Sequence, residues 1–280
     1  MILEGVYERL DPEGEPEPVV YDSPHSGRLY PADFGSALPQ KLLRRAEDAY
    51  VDELIADAPT LGVTVLHALF PRAYIDPNRS EDDIDVELLK DPWRAPLAPS
   101  DKTRLGIGLI RRVVQPGLDI YDRKLEVAEA KQRIARYHRP YLAELERVVR
   151  AARERCGRVW HIHWHSMKSQ GNAATPDGEG CARPDFVLGD LHGAACAPEL
   201  TQTVRGFLAD HGHRVAVNDP YAGAAILRGM ANPACGIHCL QIEISRALYL
   251  DEAEVVRSGG FEGLRATVRA LTRHLTTTFA

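Results

Sequence analysis

The run Cys239-Leu240-Gln241-Ile242-Glu243-Ile244 sets the tightest limit on what this chain can fold into. A strand that is apolar at nearly every position hides both of its faces, which happens where helices cover a sheet from both sides. Other short β-branched runs recur along the chain: PVVYDS, GVTVLHALF, AYIDPN, RVWHIHWH, DFVLGD and RVAVND. Between them lie stretches of helical period. KLLRRAEDAYVDELIADA carries apolar residues at positions 43, 46, 50, 51, 54, 55 and 58, the spacing of an amphipathic helix. Residues 118–155 are charged and helical in pattern; Pro140 divides them into two helices and Gly157 stops the second. Two further helices are expected near 197–211 and 261–279. Strands alternating with helices predict an α/β fold with three layers, α/β/α, around a mixed, mostly parallel central sheet. No repeat or linker divides the chain, so one domain over residues 1–280 is expected.

Composition excludes several classes of function. The 280 residues carry 34 Lys and Arg against 40 Asp and Glu, a net charge of -6. A general nucleic-acid or anionic-membrane binder needs a basic surface, so neither partner is expected. No apolar stretch reaches membrane-spanning length, and the acidic, Pro/Gly-rich start lacks the features of a signal peptide. The five Cys are scattered and form no CxxC pair, which fits a reduced, cytoplasmic protein. There is no GxSxG elbow, Walker A loop, GxGxxG turn or HExxH helix. Oligomeric state leaves no mark in the sequence.

The chemistry concentrates in five places. In RVWHIHWHSM, strand alternation puts His161, His163 and His165 on one face, at the carboxyl end where ligands gather in open α/β sheets. SPHSG offers His25 as a second metal ligand, with Gly27 permitting close approach of the backbone to a ligand. Asp48 and Asp52, four apart, would share a helical face. Two His and one carboxylate make the ligand set of a hydrolytic zinc centre. Glu243, a carboxylate inside an apolar strand, suits a general base. Finally Arg72, Arg79, Arg183, Arg228 and Arg246 offer planar forks for carboxylates, and Asn78 stands beside Arg79. The aperiodic stretch KSQGNAATPDGEGCAR is long enough to be a functional loop, closing over the site with Arg183 at its base.

Taken together, SPHSG, DAYVDEL, PRAYIDPNR, HWHSM, RPDFVLGD, VNDPYAG and LQIEISRALYLDE resemble the N-formylglutamate amidohydrolase family, in order, over residues 19 to 255. The resemblance implies a fold like that of zinc carboxypeptidases and aspartoacylases, of the phosphorylase/hydrolase-like kind. It implies one zinc ion per chain and hydrolysis of N-formyl-L-glutamate to formate and glutamate, late in histidine breakdown. His25 and His165 then correspond to metal ligands, with Asp48, rather than Asp52, as the carboxylate. Glu243 corresponds to the base and Arg79 to the substrate-carboxylate anchor, with Arg72 and Arg246 as weaker candidates. Two departures stand out: Arg28 occupies the place of the glutamate in the HxxE of zinc carboxypeptidases, and His163 replaces an Asp usual two residues before the HSM histidine. The alternatives are a zinc amidase or deacylase for another N-acyl amino acid or small peptide, and a non-catalytic metal- or ligand-binding module.

Overall fold

The computed structural model describes residues 1–173 and 175–280; Ala174, within the aperiodic loop, lies outside the described residues. Eight strands form one sheet: β1 (Ile2–Leu3), β2 (Tyr7–Leu10), β3 (Val19–Ser23), β4 (Thr64–Ala68), β5 (Val159–Met167), β6 (Phe186–Gly189), β7 (Val215–Val217) and β8 (Ile237–Ser245). Their spatial order is β1-β2-β4-β3-β5-β8-β6-β7. The central run β4-β3-β5-β8 is parallel, whereas β1-β2, β2-β4 and β8-β6 are antiparallel. The sheet is therefore mixed and mostly parallel, as the unbroken apolar runs require. β3 and β5 are buried at every position, and β8 from Cys239 onward.

Helices close both faces. On one side α1 (Val127–Arg133) and α2 (Arg139–Cys156) lay Leu145, Val148, Val149 and Ala152 into a core with Val20, Leu66 and Phe70. On the other, α3 (Pro198–Asp210) and α4 (Phe261–Phe279) pack Leu200, Val204, Leu264 and Val268 against Tyr21, Trp160, Trp164 and Ile242. Trp and Ile of the HIHWH run thus fill one core, while its three His emerge on the opposite face.

Three expectations change. The helix expected across 41–58 breaks into short turns, and residues 47–50 leave helical geometry, with Tyr50 at φ 64°. Asp48 is held there because its N–H donates to the His25 carbonyl (3.0 Å), so Asp48 and Asp52 do not share a helical face. AYIDPN forms turns rather than a strand, since Pro71 and Pro77 supply no N–H to a ladder. Near Pro140 the chain does not break: a π-helical turn at Ile134–His138 joins α1 to α2 and absorbs the missing N–H.

Candidate active site

The centre of the sheet aligns the chemistry. β5 lies between β3 and β8, so Asp22 is registered with His163, and Glu243 with His165. β3 runs directly into the loop that bears His25, while Asp48 arrives from the non-helical turn. His25 Nδ1, His165 Nδ1 and Asp48 Oδ2 converge, at 3.0 Å between the nitrogens and 3.3 and 2.9 Å from each to the oxygen. All three residues are buried. Asp52 instead pairs with Arg28 at 3.4 Å, away from this cluster.

Hydrogen-bond chemistry decides what the cluster can hold. His25 Nε2 is 2.7 Å from Asp76 Oδ1, and a carboxylate only accepts, so the proton of His25 sits on Nε2. By the same rule His163 donates from Nδ1 to Asp22 Oδ1 (2.6 Å). Its Nε2 then accepts from His165 Nε2–H at 2.7 Å. The inward Nδ1 atoms of His25 and His165 are left with lone pairs. They face a carboxylate oxygen with no proton between any of the three, an arrangement that calls for a cation. Ligand atoms of a tetrahedral zinc with bonds of about 2.0 Å stand roughly 3.3 Å apart, close to the separations here. The residues present fit a metal ion.

Electrostatics agree with this protonation. Burial, the neighbouring His163 and the nearby His25 push His165 down to about 3, despite Asp48, so it is neutral. Burial favours a protonated Asp48, yet the adjacent imidazoles of His165 and His25 and the charge of Arg72 hold it well below the carboxylate range. Asp76 behaves likewise through Arg72 and His25. The second group, Asp22 with His161 and His163, is tied by contacts of 2.7 and 2.6 Å, the lengths of hydrogen bonds rather than of metal-ligand spacing. The Tyr141 hydroxyl donates to the other Asp22 oxygen at 2.9 Å. His161 therefore braces Asp22, and Asp22 braces the His163–His165 pair.

Glu243 lines the same cavity of about 300 Å³ as His25, Asp48 and His165. Its hydrogen bond comes from Gln241 Nε2 at 3.0 Å, and it forms no ion pair with Arg246. Burial and the charge of Asp48 push its carboxyl up to about 7, against the pull of Lys102, Arg72 and Arg246.

The expected anion contacts all line this cavity, Arg228 excepted, but most are already engaged. Arg72 donates twice to Asp76 Oδ2 (3.2 and 2.8 Å) and approaches Asp48 at 3.5 Å. Arg246 binds Ser166 Oγ, the Arg45 carbonyl and Asp48 Oδ1. Arg183 forks onto Asp177 at 2.7 and 2.9 Å, pinning the loop that brings Asn172, Thr175 and Pro176 to the cavity wall. Asn78 Oδ1 accepts from Ile226 N at 3.0 Å, and its Nδ2 stands 3.3 Å from His165. Arg79 differs: among the described residues it reaches only Asp83, at 3.9 Å, and its Nε has no partner. Gly27 belongs elsewhere, since a Cβ there would meet the Phe70 carbonyl at 2.2 Å; the close approach is to backbone, not ligand.

Lys102 and Arg111 also line the cavity, and sequence reasoning passed them over. Neither sits in a motif. The one available signal was their position in a stretch after PRAYIDPNR that shows neither strand nor helix periodicity.

A mixed α/β sheet that delivers a cation-demanding His-His-Asp cluster and a protonatable glutamate into one cavity defines the class as an α/β protein with an enzyme-type active site. Comparison with known proteins makes this particular: residues 17–250 match the family model N-formylglutamate amidohydrolase, and the chain belongs to that family. It is 28% identical over 241 residues to N-formylglutamate deformylase of Pseudomonas putida, covering 85% of this chain and 83% of that protein. The crystal structure of N-formylglutamate amidohydrolase from Ralstonia eutropha superposes with a TM-score of 0.92 at 45% identity, covering 98% of both chains. A gene product of Agrobacterium tumefaciens, 16% identical with a TM-score of 0.68, shares the fold. Among the described residues no helix is long and apolar enough to cross a membrane.

Proposed function

We propose that this chain hydrolyses N-formyl-L-glutamate to formate and L-glutamate, using one zinc ion held by His25, His165 and Asp48. The observation that carries the reading is the convergence of two imidazole lone pairs and a carboxylate beside Glu243. A zinc ion so held supplies Lewis acidity towards the formyl carbonyl and acidifies water. Glu243, poised near neutrality, takes a proton as the water oxygen bonds to the formyl carbon. It returns that proton to the nitrogen as the C–N bond breaks, releasing formate and the amine. Arg79 holds a substrate carboxylate, and Asp76, Asp22 and His163 keep the two ligand imidazoles in their binding tautomers. Such a reaction suits a late step of histidine breakdown in the cytoplasm, carried out by one domain.

The test is a zinc-loaded activity panel of N-formyl, N-acetyl and carbamoyl derivatives of Glu, Asp and Gln, together with metal analysis. N-formylglutamate should be turned over fastest, with about one zinc per chain and activity lost to chelators. Preference for another acyl group would transfer the reading to a deacylase of that substrate. Undiminished activity in metal-free protein would remove the metal centre.

A further inference from the structure

We infer that Lys102 and Arg111 complete, with Arg79, a three-cation cradle that reads the double negative charge of the substrate; this rests on the proposed reading of the site. The cradle is built rather than incidental. Asp83 accepts from Ser100 N (2.7 Å), Ser100 Oγ (3.1 Å) and the Thr103 hydroxyl, fixing the short helix Asp101–Arg104 that bears Lys102. The backbone then returns: Leu109 N donates to the Asp83 carbonyl (2.9 Å) and Asp76 N to the Leu109 carbonyl (2.7 Å). At Gly108 a Cβ would meet the Asp83 carbonyl at 2.8 Å, so the fold back to Arg111 needs the bare backbone. These bonds tie residues 100–111 to the loop that carries Asn78 and Arg79.

Among the described residues none of the three side chains has an ion pair closer than 3.9 Å. Arg111 is 8% exposed, reaches only Asp76 Oδ2, at 4.0 Å, and its Nε is unpartnered. Asp76 is already taken by His25 and Arg72. Arg79 is 9% exposed, and Asp83, its nearest acid, is saturated by Ser100 and Thr103. The Lys102 ammonium has no hydrogen bond among the described residues; it stands over the Tyr221 ring at 5.3 Å and feels the charge of Glu243. Burial and the charges of Arg72 and Arg79 push Arg111 down to about 9 against the pull of Asp76, and burial with Arg79, Arg72 and Arg111 pushes Lys102 to about 8 against the pull of Glu243. Buried, unpaired cations are costly, and a ligand that neutralises them recovers that cost. A monoanion would leave two of the three unpaired. A dianion of the N-acyl dicarboxylic amino acid class leaves one, near Glu243.

The test compares kcat/KM for N-formylglutamate and for its monoanionic isostere N-formylglutamine in the wild type, Arg111→Gln, Lys102→Met and the charge-keeping Lys102→Arg. In parallel, calorimetry measures binding of glutarate, a bare dicarboxylate. The wild-type preference for the dianion should fall about ten- to a hundredfold in Arg111→Gln and Lys102→Met, mainly through KM, and be largely kept in Lys102→Arg. Glutarate affinity should fall in parallel. Unchanged discrimination in folded variants, or no glutarate binding to the wild type, overturns the cradle. If the wild type hydrolyses neither amide, the proposed reaction fails; loss of glutarate binding in Arg111→Gln still upholds the cradle on its own.

Discussion

Replacing Glu243 by Gln should make the metal-free protein more stable while destroying catalysis. In the fold the carboxyl is held at about 7 against an ordinary 4.5, because burial and Asp48 oppose its ionisation. The folded value is the higher one. Its contribution to stability is therefore fully present below about 4.5 and is lost as pH rises through 7. The difference of about 2.5 pH units, at about 1.4 kcal/mol each, amounts to about 3.5 kcal/mol at pH 8.5. Gln keeps the shape and an oxygen to accept from Gln241 Nε2, so no partner is lost. The variant should gain less than about 1 kcal/mol at pH 5 and about 3.5 kcal/mol at pH 8.5, the latter near 6 °C in Tm for a chain of this size. Thermal unfolding of chelator-treated protein at both pH values reads this directly. A Gln variant no more stable than its parent at pH 8.5, or equally stabilised at both, refutes the buried-charge argument. With zinc restored, kcat should drop by about 10²–10⁴.

Three other outcomes are expected. Because Glu243 must be ionised to accept a proton, kcat/KM should rise with pH along an acid limb below about 7, since a bound cation offsets the charge of Asp48 that raises the carboxyl in the metal-free fold; a profile with no acid limb would take Glu243 out of the role of base. Asp76→Asn should free the tautomer of His25 and weaken zinc binding about ten- to a hundredfold in chelator competition, whereas Asp52→Asn should leave zinc affinity as it was. Arg79→Ala should raise KM for N-formylglutamate about tenfold or more, and a KM within twofold of the parent would take Arg79 out of substrate binding.

Much of the scaffold was legible because backbone periodicity is a local property. Alternation in RVWHIHWH placed Trp160, Ile162 and Trp164 against one core and three His on the opposite face, as found. Runs such as CLQIEI marked strands covered on both sides. The same reasoning failed at Asp48. Its neighbours are helical in pattern, but a bond to the His25 carbonyl and the left-handed Tyr50 hold it outside a helix. Propensity loses there because the turn is set by contacts with a segment 23 positions earlier.

The sequence by itself determined the layers of the fold, the shared face of the histidines and an acidic residue in an apolar strand. Only the tertiary structure decided which atoms meet. His25 and His165, 140 positions apart, reach each other because β3 and β5 are neighbours in the sheet. The proton on each imidazole is set by Asp76 and, through His163, by Asp22, and no local pattern encodes a tautomer. Whether an arginine serves structure or substrate was likewise undecidable from its neighbours in the chain. Arg72, Arg183 and Arg246 find acids in the fold, while Arg79 and Arg111 face acids already occupied. Charge pairing depends on distances of a few ångströms between remote segments, and those distances exist only once the chain has folded.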